Sequence, residues 1–113
     1  MTVRIYHNPR CSKSRATLAL LEERNLAPEI VRYLDTPPSA GELRATLELL
    51  GRSPRELART GEAVYRELGL ANADDDALIE AMVANPILIE RPIVFANGKA
   101  AVGRPPESVL EIL

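Results

Sequence analysis

Cys11 is the only cysteine in this chain, and it lies in His7-Asn8-Pro9-Arg10-Cys11-Ser12-Lys13-Ser14-Arg15, between a short apolar run and a helical pattern. A cysteine at a helix start sits where unpaired backbone N–H groups and the helix dipole favour negative charge. A thiol so placed ionises more readily, and the thiolate is the nucleophile. Pro9, Arg10, Ser12 and Lys13 are not core residues, so Cys11 reads as a reactive thiol rather than a buried structural one. Ser14 stands where a Cys-x-x-Cys motif has its second thiol. It cannot form a disulfide, but its hydroxyl can hydrogen-bond a thiolate, while Lys13 and Arg15 add positive charge. With no second cysteine, any redox cycle through Cys11 must take its resolving thiol from another molecule.

His7 is the only histidine, which leaves too few soft ligands for a His and Cys metal site. It is read either as a histidine at a strand end or as a neighbour of Cys11 whose charge or hydrogen bond steadies the thiolate. Asp74-Asp75-Asp76 suits a helix start, since no other ligand cluster accompanies it to make a metal site. Of the 14 basic residues, all but Lys13 and Lys99 are arginine. Arginine suits bidentate recognition of oxyanions, but a general compositional bias would produce the same excess, so each arginine needs its own argument.

The elements that must position these groups follow from periodicity and turn chemistry. Val3-Arg4-Ile5-Tyr6 reads as a strand, and the helix after it begins at Cys11 or Ser12, carries Ala16, Leu18, Leu20 and Leu21, and stops at Asn25. Residues 29–34 read as a second strand. A βαβ unit of this length predicts that the two strands are parallel. Capping signals at Ser39 and Ser53, with Gly51 and Gly69 as stops, predict a run of helices that ends before Asn85-Pro86. Asn97-Gly98 between apolar runs predicts a hairpin, and Arg104-Pro105-Pro106-Glu107 opens a last helix with Val109, Leu110 and Leu113.

This order, βαβ, a helical block, then ββα, predicts an α/β thioredoxin-like fold with a four-stranded mixed sheet. The whole chain is expected to form one domain, residues 1–113, with a helical insertion at about 39–85. In such a fold Arg91-Pro92 falls where a cis-proline lies beside the active cysteine, so Pro92 is expected to be cis and to bring Arg91 near Cys11. Arg104, after the fourth strand, is expected on a neighbouring loop.

A chain of 113 residues with 46% hydrophobic content can bury a core. A net charge of −2 with interspersed signs gives no nucleic-acid footprint and no membrane patch. The N-terminus lacks a signal-peptide pattern and no apolar run is long enough to span a bilayer. With one free cysteine, these features lead us to expect a soluble cytoplasmic protein, with a monomer as the default.

With these residues in view, the sequence resembles the glutaredoxin-coupled arsenate reductases, the ArsC family. The resemblance is carried by Tyr6-His7-Asn8-Pro9, Cys11, Ser14-Arg15, Tyr33-Leu34 with Pro37-Pro38, Leu68-Gly69-Leu70, Asn85-Pro86-Ile87-Leu88-Ile89, Arg91-Pro92-Ile93-Val94 and Gly103-Arg104-Pro105. Ser12-Lys13 after the cysteine and the end at Leu113 resemble a short branch of that family. The resemblance implies that Cys11 attacks arsenate and that Arg59, Arg91 and Arg104 hold the oxyanion. Arg59 is followed by Thr60-Gly61, where the family often has Lys-Asn. His7 and Ser14 match residues associated with the cysteine's environment. No bound cofactor is implied; glutathione and glutaredoxin are the expected co-substrates and partners. Two other functions fit the same fold: a glutathione-dependent thiol/disulfide reductase, and an Spx-like regulator that binds RNA polymerase. The second normally uses the Cys-x-x-Cys switch that Ser14 removes.

Overall fold

A computed structural model describes residues 2–113. The strands are β1 (Val3–Tyr6), β2 (Glu29–Val31), β3 (Ile93–Ala96) and β4 (Lys99–Val102). The helices are α1 (Ser12–Glu23), α2 (Ala40–Leu50), α3 (Pro54–Leu57), α4 (Ala63–Glu67) and α5 (Asp75–Ala84). Short 3₁₀ segments cover Leu70–Asn72, Pro86–Leu88 and Pro106–Ile112. The chain divides into two compact units, Met1–Thr36 with Arg91–Leu113, and Pro37–Glu90.

The first unit carries a four-stranded sheet in the order β2-β1-β3-β4. β1 and β2 are parallel, and both β1–β3 and β3–β4 are antiparallel. This is the thioredoxin-like fold. Val3 lies opposite Ala96 and Ile5 opposite Val94, so all four point to one face. They pack there with Leu21, Val109 and Ile112 in a single buried cluster. Each fully buried leucine or isoleucine of such a core contributes roughly 1.5–3 kcal/mol. The other face carries Tyr6 edge-on to Phe95, with ring centroids 4.9 Å apart, and the Arg4 guanidinium over the Phe95 ring. The β3–β4 hairpin turns through Asn97 (φ 53°) and Gly98 (φ 72°). Positive φ at both central residues is what a tight right-twisted hairpin requires.

Two elements differ from the sequence expectation. β2 ends at Val31 rather than running to Leu34, because the Arg32 carbonyl accepts from both Asp35 and Thr36 N–H at 2.9 Å and turns the chain. The last helix is 3₁₀ rather than α. Ser108 N–H closes onto Pro105 O, and three residues per turn stacks Val109 directly under Ile112, both in the core.

In the second unit, Ser39 and Ser53 each complete a reciprocal capping box, with Glu42 and Glu56. Gly51 and Gly69 stop helices in the left-handed conformation. Asp74 caps α5 by accepting from Ala77 N–H at 2.9 Å. The Arg55 guanidinium ties three segments together, donating to the Tyr65 hydroxyl and to the carbonyls of Leu70 and Ala73. Among the described residues no helix is long and apolar enough to cross a membrane.

Candidate active site

Cys11 is the N-cap of α1, in extended backbone conformation, and no side chain caps this helix. The first-turn amides and the dipole are therefore available to a negative charge at that end. Cys11 is a free, buried thiol, only 9% exposed.

The loop before it is built around Asn8. The Asn8 carbonyl accepts from Cys11 N–H at 3.0 Å, and its Oδ1 accepts from Arg10 N–H at 3.0 Å. Its own N–H donates to Ser14 Oγ at 3.0 Å. One buried asparagine thus sets both the turn into the helix and its joint to the helix's first turn. In the sequence Asn8 stands out only as part of the Tyr6-His7-Asn8-Pro9 motif. The signal was present, because asparagine bonding to backbone two residues on is the mark of an Asx turn.

Ser14 is fully buried, and its Oγ lies 2.6 Å from His7 Nδ1. The same hydroxyl oxygen accepts from Asn8 N–H, so Ser14 joins the His7 ring to the loop backbone. Among the described residues the hydrogen bonds of Ser14 run to His7 and Asn8. Burial, and the nearby Arg32 and Arg15 charges, push the His7 pKa below the ordinary histidine value. This selects the hydrogen-bonding role of His7 over a charged one at neutral pH. Arg15 is itself tied down, with Nη1 donating to Pro9 O at 3.0 Å.

The Arg91–Pro92 and Arg104–Pro105 peptide bonds are both cis, Pro92 as expected. Arg104 Nη2 donates to Cys11 Sγ at 3.9 Å, and Arg104 Nε donates to the Arg91 carbonyl at 2.8 Å. The approach is held by Gly103, whose N–H donates to Pro92 O at 2.9 Å. A Cβ at position 103 would lie 2.5 Å from Thr17 Oγ1 and 2.8 Å from Pro92 Cγ. Only glycine lets the strand end pass this close to α1 and Pro92. Cys11, Ser14, His7, Arg91 and Arg104 all belong to the first unit.

Arg59 belongs to the second unit. Its Nη1 lies 2.9 Å from Glu62 Oε1 and its Nε 3.8 Å from Glu90 Oε1. Its N–H donates to Leu88 O at 2.7 Å, beside the Ala58–Ile89 bridge. Ala58, Arg59, Thr60, Gly61, Glu62 and Glu90 line an open depression of about 350 Å³.

A thioredoxin-like sheet, a single thiol on the N-cap of its first helix and an arginine donating to that sulfur define a one-cysteine thiol protein of this superfamily. The comparisons sharpen the class. The chain belongs to the ArsC family, whose profile matches residues 6–112. It is 55% identical to an arsenate reductase of Neisseria meningitidis over 98% of this chain and 97% of the other. It is 60% identical to a protein of Escherichia coli K12 named only as uncharacterized protein YfgD, over 98% and 96% of the two chains. The solved structure of an arsenate reductase from Vibrio cholerae matches with a TM-score of 0.97 and 54% identity, over 100% of this chain and 98% of that one.

Proposed function

We propose that this protein is an arsenate reductase that uses Cys11 as nucleophile and glutathione with glutaredoxin as its thiol donors. The observation that carries the reading is the Arg104 guanidinium donating to Cys11 Sγ at the uncapped start of α1. A cation and a helix N-terminus at one sulfur favour both the thiolate and an oxyanion brought to it.

In the first step the Cys11 thiolate attacks As(V), an S–As bond forms, and one arsenate oxygen leaves as water. Arg91 and Arg104 offset the oxyanion charge, with Arg59 as the third arginine. Glutathione then places a second sulfur on arsenic, and a second arsenic oxygen leaves as water. Glutaredoxin takes up the glutathionyl group as a mixed disulfide, and arsenic receives the electron pair and becomes As(III). Hydrolysis of the remaining S–As bond releases arsenite and returns Cys11. The sum is one arsenate and two thiols giving one arsenite, one disulfide and water, which balances the two electrons. Both thiols come from outside because the chain holds one cysteine. A reducing cytoplasm, where glutathione is abundant, is the compartment this chemistry requires, and a monomer suffices for it.

The test is arsenite formation from arsenate with glutathione and glutaredoxin, for wild type and Cys11→Ser. Wild type is expected to turn over and Cys11→Ser to fall to background. Equal rates in the two proteins would overturn the mechanism. No arsenite, with reduction of a glutathionylated substrate instead, would replace arsenate by a mixed disulfide as the substrate.

A further inference from the structure

The wall of the Cys11 loop turned toward β2 encloses a pocket of about 240 Å³ that the steps above do not use. His7, Asn8, Pro9 and Arg10 line it from the loop before α1, and Arg32, Leu34 and Asp35 from the chain after β2. Cys11 is the next residue along the chain from Arg10, and its N–H is held by Asn8 O. Among the described residues, no carboxylate is within ion-pair distance of the Arg10 or Arg32 guanidinium, and no cation is within that distance of Asp35. In the turn that presents Arg32 and Asp35, the N–H groups of Asp35 and Thr36 both donate to Arg32 O. The pocket therefore offers two cations and one anion around a small space with Leu34 and Pro9 as its apolar parts.

We propose that this pocket binds the zwitterionic amino-acid end of the thiol co-substrate, the γ-glutamyl end of glutathione. The inference rests on the reading that glutathione is the thiol donor. A guanidinium pairs with an α-carboxylate through charge-assisted hydrogen bonds, and Asp35 does the same for the α-ammonium. Leu34 and Pro9 suit the two methylenes between that end and the peptide. A bare oxyanion dianion fits less well, because Asp35 repels it. The volume is below the roughly 300–1,000 Å³ of sites that enclose a drug-sized ligand. It accepts one end of a tripeptide and leaves the thiol end for the neighbouring Cys11.

The test uses the full chain and two readouts. In steady-state turnover, Arg32→Gln and Asp35→Asn should each raise the KM for glutathione by about tenfold, the scale of one charge-assisted contact. Arg24→Gln, an exposed charge at the end of α1, should not. A glutathione analogue lacking the α-amino group should be insensitive to Asp35→Asn. Separately, S-methylglutathione, which cannot react, should shift the amide resonances of Asn8, Arg10 and Asp35 in the wild type and not in Arg32→Gln. Unchanged KM values in both variants, no shifts at tens of millimolar, or the same shifts from inorganic phosphate would each overturn the pocket assignment. The two readings fail separately. Binding of S-methylglutathione here without any arsenite formation sinks the arsenate reading alone. Arsenite formation with unaltered glutathione KM in the variants sinks the pocket alone.

Discussion

Arg104 Nη2 lies 3.9 Å from Cys11 Sγ, although 93 positions separate the two residues in the chain. The same guanidinium is braced by its Nε on the Arg91 carbonyl, so Arg104 is aimed as well as near. Arg104 is exposed, and solvent screens such a pair to about 1 kcal/mol. Arg104→Leu should therefore slow iodoacetamide alkylation of Cys11 at neutral pH by about fivefold. Arg104→Lys, which restores charge without the second donor, should recover only part of that rate. An alkylation rate equal to wild type in Arg104→Leu would show that this contact does not influence the sulfur.

The pH dependence of stability should carry the signature of His7. Its pKa in the folded chain lies below the ordinary value of 6.5, so the unfolded chain binds the proton more readily. Stability is then fully present above about 6.5 and is lost as pH falls through the lower, folded value. Protonation also places a charge on a buried ring beside Arg32 and Arg15. His7→Gln removes the titration. Urea unfolding between pH 7.5 and 5 should show the wild type losing stability relative to His7→Gln as pH falls; parallel curves would exclude His7 as the source.

Gly103 should tolerate no side chain. The Cβ of Gly103→Ala would meet Thr17 and Pro92 below normal contact distance, and overpacking of this kind costs about 1–3 kcal/mol. Because Gly103 leads directly into Arg104, the relief movement also shifts the guanidinium from Sγ. The variant should lower the urea midpoint and slow Cys11 alkylation together. Adding Thr17→Ala removes the nearest obstructing atom and should restore part of both. Wild-type stability in Gly103→Ala would refute the packing account.

Arg59 provides a sharper test of which arginines serve the oxyanion. Its guanidinium faces Glu62 and Glu90, which compete with an oxyanion for it. Glu62→Gln removes one competitor at nearly constant shape. If Arg59 meets the oxyanion, the arsenate KM should fall by about two- to threefold, the scale of a partly exposed ion pair. An arsenate KM equal to wild type in Glu62→Gln would take Arg59 out of the oxyanion site and leave it as a fastener for Glu62 and Glu90.

Local signals explain why most of the fold could be read directly. Ser39, Ser53 and Asp74 cap helices because side-chain oxygens satisfy amides three residues on. Asn25, Gly51 and Gly69 adopt positive φ where helices stop, and Asn97-Gly98 makes the hairpin turn. The misreadings arose where the chain's path depended on more than its own periodicity. Arg32 to Leu34 look β-prone, but the carbonyl of Arg32 closes a turn instead. Val109 and Ile112 fit helical spacing of either kind, and the need to stack both on the sheet selects the 3₁₀ form.

By itself, the sequence determined that the protein has one thiol at a helix start, no partner cysteine, and a βαβ and ββα order that permits a thioredoxin-like sheet. These are properties of residue type and near-neighbour spacing, where turn chemistry and capping act over three or four residues. Only the tertiary structure decided what Ser14 and His7 do. Ser14 looked like a partner for Cys11, and folding instead buries it against Asn8 and His7, since a buried hydroxyl must place both its proton and its lone pairs. Folding also decided which arginine touches sulfur. Arg104 reaches Cys11 where the chain leaving β4 passes Thr17 of α1 and Pro92, because Gly103 lacks a side chain, a proximity that no sequence spacing encodes.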